Sequence, residues 1–172
     1  MDSRRPDYAA YVAALGLPAY ATELNVLSRA GGRRKGDTLE VVAEPDVTAA
    51  GAVDHSFLVR GIGHLEGNQP ALHSLTNGAS MFITAQPDNA VNPNALRVCT
   101  SGGSPVGWVP DALLHITHEV IENAYQLTAA RANGPDWPNH MRLVVRLRGH
   151  VPPGFEPFGE VMSHQQTVAA PG

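Results

Sequence analysis

Two histidines have the spacing that most resembles a catalytic metal site. His115 and His118 lie three positions apart, so on a helix they would point the same way and could hold a metal ion with Glu119 or Glu122. The sequence lacks the His-Glu-x-x-His arrangement, and no second pair of ligands is spaced to complete such a site. It also lacks the glycine-flanked serine of many hydrolases and a phosphate-binding loop that ends in Lys-Ser or Lys-Thr. We therefore expect no catalytic residue, no bound metal and no cofactor.

Arginines form the second set of candidate residues. Only one of the twelve basic residues is a lysine, and arginine suits planar, bidentate contacts with phosphate as well as stacking on bases. In and just after a predicted strand over 141–147, Arg142, Arg146 and Arg148 have the same parity. They should therefore share one face of a sheet, while the leucines and valine between them share the other.

Two loops add further candidates. Arg33 and Arg34 lie in a basic loop between a predicted helix and a predicted strand, where they could contact phosphate. The segment 86–96 is rich in Asn and Asp and contains two prolines. Since Asn and Asp bind their own backbone, this composition predicts a rigid, shaped loop, which is a usual place for recognition. Asn92 and Asn94 are its candidate contact residues.

Composition limits the kinds of protein that this chain can be. The net charge of -4 excludes a general polyanion binder, while 43% hydrophobic and 16% charged residues are typical of a folded globular protein. A length of 172 residues suits one domain with a core. The single cysteine, Cys99, is expected to be a small buried residue. No apolar run approaches the ~18 residues of a membrane span and no secretory signal is recognisable, so we expect a cytoplasmic protein that binds no membrane.

The spacing of apolar and turn residues predicts a β-rich α+β fold. Apolar residues three to four apart before Gly16, and again after Pro18, indicate an N-terminal helical hairpin, with Tyr20, Leu24 and Leu27 on one face of its second helix. Short strands are predicted over 38–43, 56–62, 81–85, 94–100, 106–109, 126–132 and 141–147. Further helices are predicted over 70–75 and 112–122.

Many short strands broken by glycines favour a small, strongly curved sheet or partly open barrel, with one or two packed helices. The residues expected to build its core are apolar and lie in the predicted strands and helices. They are Phe57, Val59, Phe82, Leu96, Val98, Leu114, Leu143 and Val145.

Three motifs in sequence order resemble the HIRAN domain, in its free-standing bacterial form. They are Phe57-Leu58-Val59-Arg60-Gly61-Ile62, then Asp88-Asn89 with Asn92-Pro93-Asn94-Ala95-Leu96-Arg97-Val98, then Val106-Gly107-Trp108-Val109-Pro110. The similarity extends over residues 56–147, somewhat more than half the chain. It implies a small OB-like or SH3-like curved β-barrel that holds single-stranded DNA or a DNA 3′ end and does no chemistry on it.

The resemblance also implies which residues contact DNA. The family's first base-stacking aromatic falls on His64, which can still stack, and the second falls on Leu65, which cannot. The tyrosine and the acidic residue of the family's loop fall on Val91 and Asn92, and an amide binds a hydroxyl without charge assistance. Trp108 occupies a further contact position. The expected DNA-binding residues are therefore His64, Asn92, Asn94, Trp108, Arg142, Arg146, Arg148, Arg33 and Arg34, with weakened specificity for 3′ ends.

The expected organisation has three segments. Residues 1–53 form the helical hairpin and a lead-in strand, 54–150 form the barrel domain, and 151–172 form a C-terminal extension and mobile tail. The expected function is non-catalytic DNA binding, with any catalysis supplied by a helicase or nuclease partner. Two alternatives stay open at this point: an adaptor that binds proteins of a DNA-processing or defence system, and a metal-dependent hydrolase that acts on nucleic acid.

Overall fold

The computed structural model describes residues 7–30 and 42–158 of the chain. In these residues the helices are α1 (Tyr8–Ala14), α2 (Glu23–Ala30), α3 (Gln69–Ser74) and α4 (Leu114–Ile121). The strands are β1 (Asp46–Val47), β2 (Ala52–Leu58), β3 (Ser80–Ala85), β4 (Leu96–Thr100), β5 (Pro105–Trp108), β6 (Gln126–Ala132) and β7 (Leu143–His150). Short 3-10 turns at Ile62–His64, Asp111–Leu113 and Asn139–Met141 come shortly before α3, α4 and β7.

The described strands form one antiparallel sheet in the order β1-β2-β7-β6-β3-β4-β5. The predicted β-rich α+β fold is confirmed, but the predicted barrel is not formed as a closed ladder. Among the described residues, an isolated bridge between Arg60 and Trp108 is what links the chain after β2 to β5. The sheet would close into a barrel only if β5 paired along the whole free edge of β2. Part of that edge is already paired with β1, at Val53 and Asp54.

One face of the sheet packs against α3 and α4 and contains the main core. Side chains alternate along β7, where Leu143, Val145 and Leu147 are buried in this core. Of the predicted core residues, the exception is Phe82, which is only half-buried because it lies between two inward-facing residues of β3 and has the opposite parity. Cys99 is buried, as predicted.

The N-terminal helices cover part of the opposite face. Val12, Leu15 and Val26 pack with Leu58 of β2 and Val144 of β7 in a second apolar cluster. This cluster explains why Leu58 of β2 and Val144 of β7 are buried although they point to the face of the sheet opposite the main core. The predicted hairpin of helices therefore packs directly on the sheet. Residue 54, where we expected the barrel domain to begin, lies inside β2.

The second helix differs from its prediction in start and orientation. It begins at Glu23 and not at Pro18, because Thr22 and Asn25 cap it reciprocally: the N–H of each bonds the side-chain oxygen of the other, at 2.9 and 3.2 Å. The apolar face predicted for it points to solvent. Its members are exposed by 87% at Tyr20, 68% at Leu24 and 43% at Leu27.

Some expectations lie outside the described residues. These are the basic loop with Arg33 and Arg34, all but the last two residues of the strand predicted over 38–43, and the tail beyond residue 158. Within the described ranges, no helix combines the length and the apolar character needed to cross a membrane.

Candidate nucleic-acid interface

A row of cross-strand neighbours places an arginine on each side of a tryptophan. Trp108, the last residue of β5, pairs with Arg97 of β4 and forms the isolated bridge with Arg60, just after β2. Directly opposed residues of antiparallel strands point to the same side of a sheet. Because Leu96 and Val98 point into the main core, this set points away from it. We call Arg60, Trp108 and Arg97 the arginine–tryptophan row; its strands are about 4.8 Å apart.

The indole of Trp108 is held in one orientation by its neighbours. Its Nε1 donates a hydrogen bond to Oε1 of Gln86 at 2.6 Å, and the guanidinium carbon of Arg97 lies 5.9 Å from the ring centroid, within cation–π range. Gly61 lies against the ring, since a β-carbon at Gly61 would be 2.4 Å from Cε3 of Trp108. Gly61 also has a left-handed φ of 69°, which favours glycine. Trp108 is therefore half-buried, with one part of its ring system covered and its position fixed.

Arg97 and Arg60 are the members of the row that the sequence reasoning missed. The Nε of Arg97 is buried and has no hydrogen-bond partner in the described part of the chain. A buried donor without a partner costs roughly 1–3 kcal/mol, and a bound oxyanion would remove that cost. The available signal was the hairpin between β4 and β5, because its pairing places Arg97 opposite Trp108 despite a shift in register beside Val98.

The loop 86–96 is shaped by its own asparagines, as its composition predicted. Oδ1 of Asn89 accepts hydrogen bonds from two backbone N–H groups of the loop, at 3.0 and 3.1 Å. Oδ1 of Asn92 accepts one from the N–H of Asn94 at 2.9 Å, while its Nδ2 donates to Oδ1 of Asp111 at 3.3 Å. Both ends of the Asn92 amide thus hold the loop in shape. Within the described part of the chain, one N–H and one oxygen lone pair of this amide stay unused, so a DNA hydroxyl could be bound by them, but without charge assistance.

Arg142 does not belong to a basic face, so this prediction was wrong. Its side chain is 4% exposed, and it donates from Nε to the carbonyl of Asn133 and from Nη1 to Oε1 of Gln69, each at 3.2 Å. The 3-10 turn Asn139–Met141 comes immediately before it, and β7 begins only at Leu143. The alternation of a strand therefore does not extend back to Arg142.

Arg146 and Arg148 are exposed on one face of β7, as predicted, but Asp54 of β2 binds both. Arg146 donates from Nε and Nη2 to the two carboxylate oxygens, at 2.6 and 2.5 Å, and Arg148 donates from Nε at 3.1 Å. The hydrogen bond from Arg146 lowers the pKa of Asp54, and the same bond raises the pKa of Arg146. One carboxylate shared by two guanidinium groups leaves a single net positive charge.

His64 lies at the same corner of the sheet as Trp108. It is exposed at the end of the 3-10 turn that follows Gly61, and its backbone N–H donates to the carbonyl of Gly61 at 2.9 Å. Leu65 is half-buried and Val91 is 94% exposed. Both His64 and Trp108 thus adjoin Gly61, one through its backbone and the other through its ring, whereas Arg146 and Arg148 lie against Asp54.

The two histidines considered as metal ligands have separate partners. The ring of His115 stacks on Phe155 with centroids 4.8 Å apart, and Nε2 of His118 lies 2.9 Å from the carbonyl oxygen of Asn94. In residues 7–30 and 42–158, no group of three or more His, Cys, Asp or Glu side chains is placed to hold a metal ion.

Three solved structures are similar to this chain. A protein from Lactobacillus plantarum aligns with 13% identity and a TM-score of 0.44, over 58% of this chain and 97% of that one. The crystal structure of the HIRAN domain of human HLTF aligns with 17% identity and a TM-score of 0.37, over 58% of this chain and 77% of that domain. The NMR structure of the HLTF HIRAN domain gives 16% identity and a TM-score of 0.37, over 68% and 90%.

HIRAN domains are thus among the structures that this chain resembles, as its three motifs predicted. No protein-family model and no curated protein matches the chain. Identities of 13–17% say nothing about what this chain binds, so a proposal about its ligand has to rest on the chain's own residues.

Proposed function

We propose that this protein binds DNA non-catalytically, as a single strand or at an end, through the arginine–tryptophan row. The observation that supports this most strongly is the placement of Arg60 and Arg97 on either side of Trp108 along one outward row. A flat ring between two guanidinium groups suits a base with its flanking phosphates, because aromatic rings stack on any base and arginine binds phosphate oxygens.

In this arrangement Trp108 is the stacking surface and the arginines are the phosphate contacts. Gly61 covers part of the indole, so a base stacks on the part that stays accessible. Arg97 gains a partner for its buried Nε when it binds a phosphate oxygen. His64, exposed shortly after Gly61, is assigned to stack on a neighbouring base. Asn94, exposed in the adjoining loop, is assigned a polar contact.

Two features favour modest affinity and little preference for 3′ ends. Arg146 and Arg148 are already engaged by Asp54, so we assign them a weaker contribution through charge alone. Asn92, at the place where the family has an acid, is a neutral amide, and its bonds to Asn94 and Asp111 hold it within the loop, so it would bind a hydroxyl without charge assistance. A 3′ hydroxyl therefore adds little to binding.

The test is a titration of the protein with single-stranded, duplex and 3′-phosphate-blocked oligonucleotides over a range of salt concentrations. Two phosphate contacts on a single strand predict a slope of about 1.4 in log affinity against log salt, because each contributes about 0.7. Trp108→Ala should weaken binding by about 1–3 kcal/mol. Arg97→Gln should lower the salt slope. Arg148→Gln also removes one positive charge, but it should have a smaller effect because Arg148 is already bound by Asp54. Absence of single-strand binding at low salt would reject the proposal.

A second candidate function is a protein-interaction module for a helicase or nuclease partner. It is favoured by the solvent-exposed Tyr20, Leu24 and Leu27 at α2, since exposed large apolar side chains in a group mark interaction surfaces. If the DNA titrations are negative while Leu24→Asp abolishes capture of a purified DNA-processing partner, this function replaces the first.

A further inference from the structure

A small cavity lies between the C-terminal half of α2 and β2. Its volume is about 20 Å³, and its polar lining comes from Ser28 and Arg29 of α2, from His55 and Ser56 of β2, and from Arg60. The other residues that line it in the described part of the chain are apolar, and none of them is a carboxylate. Since about 10–15 Å³ is enough for one water molecule, a space of this size admits the oxygens of a small polar group and not a base.

Arg29 brings a positive charge to this cavity. Its Nη1 is buried, and it has no hydrogen-bond partner within residues 7–30 and 42–158. Burial lowers the pKa of Arg29. The pKa of His55 is lowered to about 4, mainly by burial and then by the charge of Arg29. A buried charge without a partner is costly, and an anion that fits the cavity would remove much of that cost.

Two carboxylates of the described residues act on His55, and neither binds Arg29. Asp46 and Asp54 act on His55 from β1 and β2, where both raise its pKa and so oppose the effect of Arg29. Asp54 is already bound by Arg146 and Arg148, and Asp46 is exposed on β1. Neither of them lines the cavity.

We propose that this cavity is a binding site for a phosphate group, with Arg29 as its main ligand. The hydroxyl of Ser56 can donate to a further phosphate oxygen, whereas that of Ser28 already donates to the carbonyl of Asn25 at 3.1 Å; Arg60 stands between the cavity and the arginine–tryptophan row. The proposal rests on the proposed function in one respect: a strand whose base lies on Trp108 can place a terminal phosphate at Arg29. A free phosphate ion offers the same oxygens and is the other possible source.

Thermal unfolding with inorganic phosphate, against chloride at matched ionic strength, tests the cavity alone. At ten times the dissociation constant, phosphate should raise the melting temperature by about 3–6 °C. Arg29→Gln should abolish this rise and, without phosphate, should melt no lower than the parent, because it removes a half-buried charge whose Nη1 has no partner among the described residues. The matched control Arg148→Gln should keep the rise, and Arg29→Lys, which retains the charge, should keep part of it. A full rise in both Arg29 variants would overturn the proposal, as would no rise in the parent protein.

Oligonucleotides of one sequence with a 5′ phosphate, a 3′ phosphate or no phosphate identify the source. If the site takes a DNA terminus, one phosphorylated form should bind about tenfold tighter than the unmodified strand, and Arg29→Gln should abolish only this difference. Equal binding of the three forms, with the thermal rise intact, would assign the site to free phosphate. Trp108→Ala should weaken all oligonucleotides and leave the thermal rise unchanged, so failure of DNA binding at the row is distinguished from failure of the phosphate site.

Discussion

Replacing Gly61 by alanine should both strain the backbone and displace Trp108. Gly61 has a φ of 69°, and a β-carbon there would lie 2.4 Å from Cε3 and 2.8 Å from Cζ3 of Trp108. Gly78 provides a matched control, because its φ is 85° and no atom lies within 4 Å of the place that a β-carbon would take. Gly78→Ala therefore measures the backbone effect without the collision.

The two substitutions should differ by the energy of moving the indole. A left-handed φ costs alanine about 1 kcal/mol relative to glycine, which is the whole effect expected at Gly78. Overpacking against a large side chain adds about 1–3 kcal/mol, so Gly61→Ala should destabilise the protein by about 2–4 kcal/mol. For a chain of 172 residues, these values correspond to falls in melting temperature of about 3 °C for Gly78→Ala and about 6–12 °C for Gly61→Ala.

Urea unfolding followed by circular dichroism measures both effects, and a double-mutant cycle isolates the collision. In the background of Trp108→Ala the indole is absent, so Gly61→Ala should then cost no more than Gly78→Ala. Gly61→Ala should also weaken single-stranded DNA binding, while Gly78→Ala should not. If Gly61→Ala costs the same with and without Trp108, the idea that this glycine positions the indole is refuted.

Three further predictions concern polar groups. The pKa of His55 is lowered to about 4 from its usual 6.5, so the unfolded chain binds the proton first and stability falls as pH drops through this interval. Urea unfolding at pH 7.5 and 5 should show a loss of about 1–2 kcal/mol that His55→Gln lacks. Asp54→Asn should free Arg146 and Arg148 for phosphate and steepen the salt slope of single-strand binding by up to about 1.4, and an unchanged slope would contradict this. Asn133→Ala should lower the urea midpoint by the equivalent of about 2–4 kcal/mol, because its buried Nδ2 bonds two backbone carbonyls at 2.8 and 2.6 Å.

The elements that depend on local signals were predictable from the sequence. The four-residue connection 101–104 between two β-branched segments predicted the hairpin of β4 and β5, and Pro70 near the start of a short apolar segment predicted α3. The period of two along β7 predicted that Leu143 and Val145 are buried. These signals act between residues close in the chain, where backbone geometry and side-chain parity decide the outcome.

The same rules failed where an element began or ended at a different residue from the one expected. Arg142 was assigned to a strand face by parity. It lies between a 3-10 turn and the start of β7, so the alternation of the strand does not apply to it, and its side chain is buried. Leu24 and Leu27 were predicted to lie on the apolar face of α2, but both are exposed, and Val26 is the residue of this helix that is buried against the sheet. Periodicity shows that a helix has an apolar side and does not show which residues will meet a partner.

The sequence by itself determined the fold class, most of the strands and the main core, and it indicated Trp108 as a candidate contact residue. Only the tertiary structure placed Arg60 beside that tryptophan, Asp54 between two arginines, and Arg29 over a cavity with His55. Each of these arrangements joins elements distant in the chain. Their register depends on how the whole sheet curves and on which edges other strands occupy, and no short stretch of sequence contains that information.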